Sequence, residues 1–271
     1  MSGGRLAGIA SATLAIVALA AAGCGGARWS TIGGAGDRTL VVFAAASLRE
    51  PVEAASAAYE AGHPGLIVRA AYGSSTALRV EIEEGAPADV FLSADLDNAD
   101  RLDAAGLTAG SPVPFAGNRL AIVVPADREL VREPRDLAAD GVSVIAAGEG
   151  VPITAYAGQL VGRLAALPDY PADFAGRYAA NVVSREDDVA AIVAKIGLGE
   201  GDAAIVYATD AARTPGVATI PLPAGVEVVA TYAGVGIRDS PGAAEGRAFL
   251  DWLVGPAGRA AFAAAGFAAP P

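Results

Sequence analysis

Cysteine is nearly missing from this chain of 271 residues: Cys24 is the only one, so no internal disulfide can form and the fold is not a disulfide scaffold. Histidine is as scarce. With His63 alone, the commonest metal ligand and the commonest general base are each available at a single position. Basic charge is short too, with 19 Lys and Arg against 30 Asp and Glu and a formal charge of −11, and a surface of that sign repels nucleic acid and anionic lipid headgroups. What the chain has in plenty is apolar residues, 53% of the total, enough for a sizeable globular core.

No strongly apolar run reaches the roughly 20 residues that a membrane-spanning helix needs. The opening segment, "MSGGRLAGIASATLAIVALAAAGCGG", comes nearest, with one basic residue, an uncharged run rich in Ala, Leu, Val and Ile, and small residues up to Cys24. Glycines rather than basic residues follow it, the pattern of a cleaved export signal over 1–23. "AAGC" resembles the lipobox of bacterial lipoproteins, with Ala21 where Leu is usual. That resemblance implies lipid attachment at Cys24 and a flexible tether over 24–37. Loss of the signal removes Arg5 alone among charged residues and takes the formal charge from −11 to −12.

From about Arg38 onward, short apolar runs alternate with longer amphipathic segments, the pattern of an α/β protein with parallel sheets flanked by helices. The runs "TLVVFAA", "LIVRAAY", "ADVFLSA", "RLAIVVP", "VSVIAA", "DAAIVYA", "GVATIPLP" and "VVATYAGVGI" read as strands. Helices are expected over "PVEAASAAYEAGH", "STALRVEIEEG", "LDNADRLDAAG", "ITAYAGQLVGRLAAL" and "EDDVAAIVAKIGLGEG". Single cores stop growing at about 250 to 300 residues, so two lobes are expected. "SPVPFAGNRLAIVVP" suits a crossover between them and "VVATYAGVGI" the return, which assigns 38–118 and 233–271 to the first lobe and 119–232 to the second.

Catalysis finds little support. Ser47 in "AAASL" lacks the G-x-S-x-G elbow of a serine hydrolase, and His63 lies in "AGHPG", a helix-ending turn. No calcium loop appears, and "GLGEG" follows a helix rather than opening one, so it is a helix stop and not a phosphate loop. What remains is a set of strand ends in small or hydroxylated residues, each followed by a helix: "FAAAS", "AYGSST", "GEGVPIT" and "SREDDV". A helix start leaves up to four N–H donors unpaired and carries about half a positive charge, so several converging starts make an anion site. Any one of them alone is an ordinary N-cap.

Taken in order, "VFAAASL", "YGSST", "GAPADVFLSAD" and "EDDVAAIVAKIGLGEGDAAIVYATDA" resemble the molybdate-binding proteins of bacterial ABC importers, over essentially the whole chain after the signal. The resemblance implies a two-lobed periplasmic binding protein fold (type II-like), each lobe a mostly parallel sheet flanked by helices, with the ligand in the cleft between them. It implies binding by the hydroxyl and N–H of Ser47 and Ser75, by the N–H of Ile153, where the family's "VPAG" reads "VPIT", by the N–H of Val189, and by the phenol of Tyr207. For the Val189 N–H to be free, the helix there must start near Asp187 or Asp188, with these acids as caps. A capping box at Ser47 and Glu50 conflicts with Pro51, so the helix after Ser47 is expected to begin late.

None of the five positions is Asp, Glu, Lys or Arg. Molybdate, tungstate and sulfate are fully deprotonated near neutral pH and only accept hydrogen bonds, which a set of neutral donors suits. Phosphate keeps a proton there, and a buried donor without an acceptor costs about 1 to 3 kcal/mol. The expected function is that of an exported, lipid-anchored, monomeric receptor, not an enzyme, that captures molybdate and tungstate and delivers them to ABC permease subunits. No cofactor, no nucleic acid and no metal beyond the oxyanion itself are expected. A sulfate receptor stays open as the alternative, and a secreted serine hydrolase as a remote one.

Overall fold

The structure is a computed structural model that describes residues 38–128 and 130–271; the export signal expected over 1–23, Cys24 and the tether expected over 24–37 lie outside the described residues. The first lobe opens with β1 (Arg38–Ala45), a 3-10 turn (Ala46–Leu48), α1 (Arg49–Gly62), β2 (Leu66–Gly73), α2 (Ser75–Glu83), β3 (Val90–Ser93) and α3 (Leu96–Ala104). A long strand, β4 (Val113–Pro125), leads into the second lobe, which holds β5 (Val144–Ala147), α4 (Pro152–Ala165), α5 (Phe174–Ala180) and β6 (Val182–Glu186). It continues through α6 (Val189–Gly197), β7 (Ala203–Tyr207), α7 (Ala208–Arg213) and β8 (Val217–Ile220). The chain then returns along β9 (Val229–Gly236) and ends with α8 (Ala243–Leu253) and α9 (Pro256–Ala264).

The strands hydrogen-bond in the order β2-β1-β3-β9-β4-β7-β5-β6, with β8 also on β4. β2, β1 and β3 are parallel, as are β6, β5 and β7, while β9 and β4 run antiparallel to their neighbours. β4 changes partner along its length: Val113 to Arg119 pair with β9, and Leu120 to Pro125 pair with β7 and β8. β4 and β9 are therefore the strands that carry the chain between the lobes.

β4 begins earlier than "RLAIVVP" suggests, because its N-terminal half includes Pro114. Proline lacks an N–H for the ladder, and the pairing accommodates it with a register shift between Pro114 and Ala116. Gly117, three residues on, exchanges backbone hydrogen bonds with Ala268 of the C-terminal tail. A Cβ there would meet the Ala269 carbonyl oxygen at 2.6 Å, so only glycine lets the tail seal the crossing strand.

The apolar runs read as strands because both faces of the sheet are covered. Val42 and Ala44 of β1 and Val90 and Leu92 of β3 enter the main core, while Phe43 and Phe91 point to the opposite face and pack with Leu78 and Ile82 of α2 and Leu102 of α3. The C-terminal helices close the first lobe through aromatic edges: Tyr59 of α1 meets Phe249 and Trp252 of α8, and Phe262 of α9 meets Phe115 of β4. Asp89, buried in "GAPADVFLSA", ties this region together by accepting from Val41 N–H at 2.7 Å and Gly242 N–H at 3.0 Å.

Candidate functional site

The carboxyl ends of β1, β2, β5, β6 and β7 all face one cleft between the lobes, the location where open α/β sheets bind ligands. A cavity of about 20 Å³ lies there, room for a single small ion and far too little for a drug-sized molecule. Ser47, Ser75, Ile153, Val189 and Tyr207 all line it, with Ala45, Ala46 and Ala94 leaving the backbone exposed to the space.

Each helix start here is left open in a particular way. α1 begins only at Arg49, after the 3-10 turn that carries Ser47, which places Pro51 in the first turn where its missing N–H costs nothing. No side chain caps α2, whose first residue is Ser75. None caps α4 either, and because Pro152 has no N–H, Ile153 offers the first donor of that helix. α6 starts at Val189 with Asp188 as its N-cap, and Asp188 Oδ1 accepts from Ala191 N–H at 2.9 Å. The cap thus serves the third residue of the helix and leaves the first, Val189, free of it. Asp188 is the one charged residue lining the cavity among the described residues, and this bond turns its carboxylate toward its own helix.

The hydroxyls are oriented from behind. Ser75 Oγ, 1% exposed, accepts from Ala94 N–H at 3.0 Å, so its own proton is available to the cavity. Ser47 Oγ lies 3.0 Å from Tyr232 Oη, which in turn accepts from Asn118 Nδ2 at 3.4 Å; Asn118 Nδ2 also donates to Thr209 Oγ1 at 2.8 Å. Tyr207 is buried and its Oη makes no well-formed hydrogen bond among the described residues; the Tyr232 phenol, whose ring stands 5.6 Å away and whose hydroxyl is already held by Ser47 and Asn118, is close enough only for a weak contact. Burial, and then the neighbouring Tyr232, hold the Tyr207 phenol well above its usual range, so it is a neutral donor at any physiological pH.

The Ile153 side chain is buried in the main core and also borders a second space formed with Ala147, Ala157 and Ile205, so what it presents to the cleft is backbone. His63 lies elsewhere, as the C-cap of α1, with Nδ1 2.7 Å from the Tyr59 carbonyl oxygen and its ring stacked on Tyr59 at 3.9 Å. It therefore cannot serve as a base for Ser47. Tyr232 and Asn118 carry no motif; the only sequence signal for them is a polar group inside an apolar crossing strand.

Comparison with known proteins agrees with this architecture. The family model described as "Bacterial extracellular solute-binding protein" matches residues 40–268. The molybdate-binding protein ModA of Mycobacterium tuberculosis is 34% identical over 237 residues, covering 87% of this chain and 86% of that protein. Among solved structures, the periplasmic molybdate-binding protein of Azotobacter vinelandii aligns with a TM-score of 0.71 at 24% identity, covering 86% of this chain and 100% of that one. The sulfate-binding protein SubI of Mycobacterium tuberculosis aligns with a TM-score of 0.73 at 22% identity, covering 84% and 86%. At these identities the two structures are likenesses of fold.

Proposed function

This chain belongs to the bacterial extracellular solute-binding proteins, and from that premise we propose that it is the receptor of an ABC importer that captures molybdate, and tungstate with it, between its lobes. Such a protein is a carrier, not an enzyme, and needs no cofactor. The observation that carries the reading is Tyr207: a buried phenol whose hydroxyl makes no well-formed hydrogen bond among the described residues and which lines a cavity together with the starts of α2, α4 and α6. A buried unpaired donor costs about 1 to 3 kcal/mol, and a ligand that only accepts hydrogen bonds relieves that cost. Ser47, Ser75 and Tyr207 would bind through side chains, and Ile153 and Val189 through backbone N–H groups. The lobes, 38–118 with 233–271 and 119–232, would close about β4 and β9.

Sulfate shares the charge and acceptor character of molybdate, so the donor set supports it as a second reading. The test is competition: molybdate should displace sulfate at a small molar excess, and sulfate displacing molybdate with equal ease would sink the molybdate reading. We further infer that Cys24 is acylated, tethering a monomeric receptor on the outer face of the cytoplasmic membrane beside its permease. Cys24→Ala should release the protein from membranes on fractionation; an unchanged membrane fraction would contradict the anchor.

A further inference from the structure

The second lobe reaches across the cleft to the very turn that holds Ser47. Arg213, the last residue of α7, sets its Nε 3.1 Å from Glu50 Oε2 of α1, and its Nη2 donates to the Ser47 carbonyl oxygen at 3.3 Å. On its own side, Nη2 lies 3.7 Å from Asp210 Oδ1. Arg213 does not line the ion-sized cavity; it borders the groove behind it, with Ala46, Glu50 and Asp210. Ser47 is thus gripped twice, its hydroxyl by Tyr232 and its carbonyl by Arg213.

A second bond crosses at the cleft's other side. Thr76, next to Ser75, donates through Oγ1 to the carbonyl oxygen of Gly150, in the loop that leads into α4, with Asn98 Oδ1 of its own lobe at 3.2 Å as the alternative acceptor. Both bonds join the lobes, and each ends within three residues of a group that faces the cavity. They can exist only when the lobes are together, since a hydrogen bond is lost once its atoms separate by more than a few tenths of an ångström beyond contact.

Resting on the oxyanion-receptor reading, we propose that Arg213 and Thr76 are positioning residues that form a two-point latch: they touch no ligand, yet hold the closed lobes and the Ser47 turn so that a bound oxyanion leaves slowly. Arg213 is suited to this because its planar fork meets a carboxylate and a carbonyl at once, which Lys cannot. The two bonds between the lobes act on the closed state alone, so they should set the dissociation rate and leave association as it is, whereas the Arg213–Asp210 contact within the second lobe acts on open and closed states alike.

The test is molybdate binding by wild type, Arg213→Ala, Arg213→Lys and Thr76→Val, read as affinity, as dissociation rate by stopped flow, and as ligand-free melting temperature. Arg213→Ala and Thr76→Val should each dissociate about tenfold faster at unchanged association rate, by more than any change in ligand-free melting temperature accounts for, with Arg213→Lys between them and wild type. Unchanged dissociation rates in both variants, against a wild type that binds, would overturn the latch and leave the receptor reading intact. A loss of ligand-free stability that accounts for the weaker binding would also overturn it. A wild type that binds neither molybdate nor sulfate would overturn the receptor reading and the latch together.

Discussion

Tyr207 and Asp210 stand three residues apart at the end of β7 and the start of α7, both buried and both with a polar atom that finds no partner among the described residues. Their consequences differ in kind. On the proposed reading the Tyr207 hydroxyl donates to the ligand, so Tyr207→Phe should weaken molybdate binding about 10- to 100-fold while leaving the ligand-free protein as stable as before or slightly more so; titration with parallel thermal melts reads both, and undiminished affinity would count against the site. Asp210 is a stability group. Burial pushes its carboxyl up to about 7, against the pull of Arg213. An acid with a raised folded pKa binds its proton more tightly in the folded chain than in the unfolded one. Stability therefore falls as pH rises from about 4 to about 7 and carries the full cost above that window. Asp210→Asn should remove this slope and gain on the wild type, by on the order of 2 to 4 kcal/mol between pH 4 and pH 8, in urea melts. A difference between the two that does not change with pH would refute the assignment.

At the scale of elements, the helix starts do the chemistry, and which part of each residue matters can be separated. The Ile153 side chain belongs to the core, and on the proposed reading it is the N–H that meets the ligand. Ile153→Ala should therefore cost about 2 to 4 kcal/mol of stability, as a core truncation does, yet leave molybdate affinity within about twofold once the protein is folded; a large loss of affinity would mean that the side chain, not the backbone, shapes the site. The start of α6 was legible because Asp188 is a strong N-cap whose carboxylate suits the first turn, and the late start of α1 because Pro51 conflicts with an earlier one. β6 was not legible: "VVSRE" is a short strand at the sheet edge with every second residue exposed, so it lacks the apolar run that marks a buried strand. α5 and α7 are shorter still in their apolar content, and their placement comes from packing rather than from periodicity.

Across the whole molecule, two crossing strands hold the cleft, and the residues that tune it from behind sit on them. Asn118 of β4 and Tyr232 of β9 meet behind Ser47, in a register fixed by pairing partners more than a hundred residues apart. That contact is long-range and carries no local pattern, which is why the strand-to-helix turns that line the cavity were readable in the sequence while the supports behind them were not. The acidic surface and the cavity also belong to this scale: a chain of formal charge −11 would take up an anion where backbone dipoles replace counterions, the part proposed for the starts of α2, α4 and α6. Calorimetric titration of molybdate into the protein tests this account most directly. One oxyanion per chain, bound with micromolar or tighter affinity, is the predicted result; no heat of binding with either molybdate or tungstate at micromolar concentrations would contradict it.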